Sequence, residues 1–271
     1  MMTNLDVVTN LWNWRSPAWW FALAACGFYF AIVPRRGVSL RQIAFFAISA
    51  AAFLIALASP VAVLASRYLF SAHMAQHLLL LQIVPLCAML AWPSRPGHVD
   101  TEPPQHSSPA VIPIGWMVGV GAMWFWHIPA LCTASMRSPV VFGVQIVSLI
   151  AAGTIFWWPV FGPNVRRRMA PHMAAVYLFA GCVGCSLLGI YVAFSPVAVC
   201  PLYCVPIADN PVTRLVRDQW GFTCRVDQQV GGLLMWVPAC MVYLAAILAS
   251  LGAWYHVPSP TPHPSHLSAT E

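Results

Sequence analysis

Apolar residues run along this chain in seven long stretches, near 17–33, 41–64, 72–92, 110–128, 139–160, 172–195 and 229–252. Apart from Arg41 at the edge of the second, none contains Asp, Glu, Lys or Arg. A bilayer-spanning helix needs roughly 20 predominantly apolar residues, and the alternation of a membrane barrel is absent. The pattern predicts an all-α, polytopic membrane protein: a bundle of about seven transmembrane helices. Trp14, Trp19, Trp20, Trp92, Trp124, Trp126, Trp157, Trp158 and Trp254 gather toward the stretch ends, as interfacial aromatic belts do. Pro34, Pro93, Pro129, Pro159 and Pro196 stand near the same ends, where proline stops or kinks a helix.

Composition agrees. The 271 residues are 60% hydrophobic and 7% charged, against about 25% charged in soluble domains. All 13 basic residues are Arg. They sit in short clusters between stretches, so the net charge of +6 points to membrane topology and not to nucleic acid. Arg35, Arg36 and Arg41, then Arg95, then Arg166, Arg167 and Arg168 mark alternate loops, whereas the loops after the second and fourth stretches hold only Arg67 and Arg137. This asymmetry predicts the N-terminus outside and the C-terminus inside. The loop after the sixth stretch weakens the count, since Arg214, Arg217 and Arg225 are offset there by Asp209, Asp218 and Asp227. The first stretch is read as a retained helix and not a signal peptide, because its arginines follow it and no small-residue cleavage site appears. The organisation expected is one transmembrane domain over 1–257, with disordered cytoplasmic segments at 94–109 and 258–271, both rich in Pro and Ser.

The candidate chemistry lies at stretch ends. His73 and His77 are four residues apart, on one helix face, able to clamp one ion; imidazole suits copper, zinc and iron. Gln76 stands between them, so the zinc-protease pattern with its Glu is not present. His127, in Trp124-Phe-Trp-His-Ile-Pro129, emerges on the same outer face and is a third candidate ligand. Asp227, in the run Asp227-Gln-Gln-Val-Gly-Gly-Leu-Leu-Met-Trp236, either caps a helix N-terminus or orients a ligating His. Gly231 and Gly232 permit close helix approach, and Met235 is a soft ligand or core. Cys200 and Cys204, with Cys132 and Cys224, form disulfides in an oxidising compartment or, reduced, thiolate ligands for Cu(I). Four cysteines allow three pairings, which sequence does not choose between. Cys182 and Cys185, inside the sixth stretch, read as packing residues.

Absences narrow the classes. A retinal Schiff base needs a Lys, and there is none. Ion-coupled transport leaves ionisable residues within spans, and no phosphate loop or dinucleotide motif is present. The chemistry is therefore expected at the outer rim.

Four stretches, HMAQHLLLLQIVP (73–85), FWHIPAL (125–131), FWWPVFGP (156–163) and VDQQVGGLLMWVP (226–238), resemble the CtaG-type cytochrome c oxidase assembly factors associated with caa3-type oxidases. The resemblance implies a multi-pass protein of the bacterial inner membrane that helps mature the oxidase, with copper as its cargo and oxidase subunits as its partners. His73, His77, His127, Asp227 and Gln228 occupy family motif positions. Members commonly carry a further H-x-x-E-H motif in the fifth span. Here Phe142-Gly-Val-Gln145-Ile146 stands instead, lacking both His and the Glu. Either Cys132, Cys200, Cys204 and Cys224 replace those ligands, or copper binding has been lost.

The expectation is thus a non-enzymatic assembly factor embedded in the lipid bilayer. Copper would be held at the periplasmic rim by a metal site of His73, His77, His127, Asp227, Cys200 and Cys204, with Met74 as a further soft donor. The alternatives are a b-haem or quinone-binding redox subunit, with paired His as axial ligands, and a metal-free chaperone for oxidase subunits.

Overall fold

The computed structural model describes residues 11–32, 37–92, 111–164, 168–205 and 211–255. The expected disordered segments 94–109 and 258–271, and the arginines at 35–36, 95 and 166–167, lie outside these. The described residues form helices and no strand. In chain order they are α1 (Ala18–Ile32), α2 (Leu40–Ala58), α3 (Pro60–Arg67), α4 (Phe70–Leu78), α5 (Val84–Ala91), α6 (Val111–Trp126), α7 (Pro129–Arg137), α8 (Pro139–Phe161), α9 (Pro171–Phe194), α10 (Pro211–Arg214) and α11 (Cys224–Tyr255).

Five helical units are long and apolar enough to cross a membrane, namely α2, the continuous run Phe70–Ala91, α8, α9 and α11. A sixth is present if α6 and α7, which meet at 73°, count as one broken span. The first apolar stretch yields α1, with 15 residues shorter than the other spans.

Local chemistry explains where these helices begin and break. Ser39 and Gln42 form a reciprocal capping box at the start of α2. The second predicted stretch divides at Ser59-Pro60: Ser59 accepts from Val61 N, and Pro60 opens α3, where its missing N–H costs nothing. Ser138 and Pro139 begin α8 in the same manner. The last helix starts five residues before the predicted 229, because Thr223 Oγ1 accepts from Val226 N and seeds an earlier turn. Between α4 and α5 the helix widens into a π turn over Leu79–Ile83, where Val84 N reaches Leu79 O. Pro85 explains the widening: it has no N–H for the usual bond four residues back. The turn lies close against α8, for a Cβ on Gly153 would sit 2.0 Å from Leu81 O. Only glycine admits that approach.

The bundle is tightest where α9 runs along α11. A Cβ on Gly232 would fall 2.6 Å from Ala193 N and Gly189 O, so the two backbones touch. The buried core collects Phe156, Trp157, Leu149, Leu178, Leu188 and Tyr243 from α8, α9 and α11. Phe179, Leu187, Val237 and Met241 face outward, as lipid-facing residues do.

Candidate functional site

Asp227 organises one end of the bundle. It lies in the first turn of α11 and is 1% exposed. Its carboxylate accepts from Phe70 N at 2.7 Å and from Ser71 N at 2.9 Å. These are opening N–H groups of α4, which has no capping side chain of its own. A carboxylate is the favoured partner for such orphan donors, both as acceptor and as charge against the helix dipole. Of the two roles open to Asp227, capping is the one observed, although the helix capped is α4 and not its own. The neighbouring Gln228 performs a parallel service for α9. Its amide donates to Val192 O, Ser195 O and Val197 O, and its oxygen accepts from Val199 N.

Anchored this way, α4 carries His73, Met74 and His77 inward. The ring centroids of His73 and His77 are 4.4 Å apart, and His127 stands 5.3 Å from His77. His127 sits at the bend between α6 and α7. Pro129 forces Ile128 into extended conformation, ending α6 and leaving His127 at its tip. Nδ1 of His127 lies 2.6 Å from Met123 O, and its Nε2 lies 3.0 Å from Met74 Sδ. A neutral imidazole has one N–H and one lone pair, yet this ring faces two acceptors. With the proton on Nδ1, donated to the stronger acceptor Met123 O, the bare Nε2 points at a thioether sulfur. Two soft donors therefore converge.

The expected exposed rim site is replaced by an enclosed one. His73, His77 and His127 are 3%, 2% and 5% exposed, and Met74 is 1% exposed. Burial follows from the α4 register that Asp227 imposes and from the overlying loop. Gln76 donates to Ala56 O at 2.6 Å. Nε2 of His73 and both ring nitrogens of His77 have no hydrogen-bond partner among the described residues. Buried polar atoms are normally satisfied; Gln82 Oε1, Trp116 Nε1, Gln145 Nε2 and Trp157 Nε1 are likewise without a partner among the described residues. Among the described residues, no three His, Cys, Asp or Glu side chains are grouped to hold a metal. Any ion held here draws on the thioether of Met74 as well as imidazole.

The cysteines are placed differently from the imidazoles. Cys200 is bonded to Cys132, and Cys204 to Cys224. Between the disulfide and thiolate readings the structure takes the disulfides, so Cys200 and Cys204 brace the loop above the histidines. Tyr203, between them, donates to Ala65 O and lies edge-on to Phe70, its ring 6.0 Å from His73. Burial, reinforced by the Asp227 carboxylate, pushes its phenol well above the usual value. Arg217 ties the same loop down, donating to Phe222 O, to Tyr203 O at 2.7 Å and to Tyr68 O at 3.2 Å. A cleft lined by Tyr68, Cys204, Thr213, Val216, Arg217 and Cys224 opens beside it.

Sequence reasoning missed Met123, Tyr203 and Arg217 as parts of this end. Their roles run through backbone carbonyls, which no residue spacing displays. Gln145, where the family's Glu would stand, is 1% exposed, and its Nε2 has no partner among the described residues. Met235 is buried in the core.

No curated protein and no solved structure matches the chain. The family model described as cytochrome c oxidase caa3 assembly factor matches residues 27–256, which include every residue of the site, and the chain belongs to that family.

Proposed function

We propose that this protein assists cytochrome c oxidase assembly by carrying Cu(I) as cargo, received at the enclosed His73, Met74, His77 and His127 cluster. The observation that carries this reading is the ring of His127, set between Met123 O and Met74 Sδ so that two soft donors meet without a proton to share. Thioether and imidazole together suit Cu(I) better than a hard ion. The orphaned nitrogens of His73 and His77 supply further donors one helical turn away. Each residue has a definable task. Met123 O holds the tautomer of His127, Gln76 ties α4 to Ala56 O of α2, and Asp227 sets the depth of both α4 imidazoles by capping their helix. Copper, when bound, supplies only itself: the protein catalyses no bond change on it. An enclosed site implies that transfer to an oxidase subunit accompanies opening of the outer loop. The face bearing the two disulfides is taken as the oxidising, periplasmic side of the bacterial inner membrane.

The test is copper stoichiometry of detergent-purified protein loaded anaerobically with Cu(I), beside Met74→Leu and His73→Ala/His77→Ala variants, with oxidase activity measured in cells carrying each. About one copper per chain is expected for a single site, lost in both variants along with oxidase activity. Oxidase matured normally by the variants would sink the proposal and leave a metal-free chaperone. A Soret band in the purified protein would favour the haem reading instead.

A further inference from the structure

We propose that Cys182 and Cys240 are a modification site: a dithiol within the bundle that a lipid-soluble quinone oxidises reversibly to a disulfide joining α9 and α11. The proposal does not depend on copper or on the outer site.

The two sulfurs are 2.6 Å apart. That is inside van der Waals contact and short of the roughly 2.05 Å of a disulfide bond. The helix backbones hold them there. Gly189 and Gly232 let α9 and α11 touch, since a Cβ on Gly189 would lie 2.8 Å from Gly232 O. Counting away from that crossing, seven residues back along α9 reach Cys182 and eight residues forward along α11 reach Cys240. At about 1.5 Å per residue these are similar distances, so both sulfurs fall at one level of the antiparallel pair. The sulfurs have only the remaining gap from 2.6 Å to about 2.05 Å to close.

The nearby third thiol is excluded. Cys185 is fully buried and donates to Met235 O at 3.0 Å, with Met123 Sδ at 3.6 Å. It lies about 60° around α9 from Cys182 and is engaged by these two partners instead of by Cys240. Ser186 Oγ lies 3.2 Å from Cys240 Sγ and gives the pair a polar neighbour.

The surroundings choose the oxidant. Cys182 and Cys240 are half-buried. The residues flanking them, Phe179, Val183, Val237 and Met241, are exposed on the apolar surface of long spans. An aqueous oxidoreductase would have to enter the hydrocarbon to reach them, whereas a quinone is already dissolved there. The step balances. Each thiol gives up one proton and one electron, the sulfur–sulfur bond forms, and quinone takes both protons and both electrons to become quinol. An added phosphine reverses the modification: it takes oxygen from water to become phosphine oxide, and the two thiols are restored.

The experiment uses full-length protein in lipid nanodiscs under argon, with decyl-ubiquinone as the probe. After SDS denaturation the thiols are alkylated and each cysteine is followed by peptide mass spectrometry. Quinone should abolish labelling of Cys182 and Cys240 together and produce a Cys182–Cys240 cross-linked peptide, with one quinol formed per disulfide. Cys26 should stay labelled. Cys182→Ser should stop quinol formation and leave Cys240 labelled, while Cys185→Ser should change neither. Persistent labelling of both cysteines, or a cross-link through Cys185, would overturn the proposal in the wild-type protein, without reliance on any variant's folding. Protection by added Cu(I) with no cross-linked peptide would overturn it too, and would make the pair a soft-metal site.

Discussion

Replacing Asp227 by Ala removes the cap from α4 and leaves the His73, Met74, His77 and His127 side chains unaltered. The native carboxylate accepts two buried backbone N–H bonds, at 2.7 and 2.9 Å. Hydrogen bonds to a charged group are worth about 1.5–3 kcal/mol each, so the pair amounts to about 3–6 kcal/mol. Water cannot readily replace it, because Asp227 is 1% exposed. Asp227→Asn keeps one acceptor oxygen and loses the charge facing the helix dipole, so about half that cost is expected. The assay is unfolding free energy from SDS titration in mixed micelles, followed by tryptophan fluorescence. Chemical modification of His73 and His77 is read in parallel. Asp227→Ala should lie lowest, Asp227→Asn between it and wild type, and the imidazoles should become reactive in the same order. If Asp227→Ala falls within about 0.5 kcal/mol of wild type, the range of an inconsequential surface change, the capping argument is wrong.

Three further outcomes are expected. Arg217→Ala should free the loop from three carbonyls at once and destabilise it by about 2–4 kcal/mol, with Arg217→Lys recovering little, because an ammonium lacks the planar fork; SDS titration measures both. Gly153→Ala should force α8 away from the π turn, whose Leu81 O would lie 2.0 Å from the new Cβ, at a cost of at least about 1–3 kcal/mol and with lower yield of folded protein. The raised folded-state pKa of Tyr203 means that its stabilising contribution is complete at neutral pH. That contribution declines once pH passes about 10, where the unfolded phenol ionises, so Tyr203→Phe should flatten stability against pH in that window.

Much of the architecture is written in the order of residues. The runs at 139–160 and 172–195 became α8 and α9 with ends shifted by no more than a residue or so, because a bilayer-length apolar run bounded by Pro has few alternatives. His73 and His77 share a helix face by their spacing alone. The broken second stretch, the early start of α11 and the π turn before Pro85 were less visible. They depend on which neighbouring N–H finds an acceptor, and apolarity does not report that.

The site was legible only in outline. Residue types and their positions at stretch ends brought out His73, His77, His127 and Asp227, but depth, partners and donor set belong to the tertiary fold. Sequence allowed Asp227 its own helix or a histidine; packing gave it α4, more than 150 positions earlier in the chain. Sequence left the pairing of four cysteines open; the packing of the 200–204 segment against α7 and the start of α11 joined Cys132 to Cys200 and Cys204 to Cys224. Helical periodicity is a property of neighbours along the chain. Which buried donor meets which acceptor across the bundle is decided only when the helices pack and water is excluded.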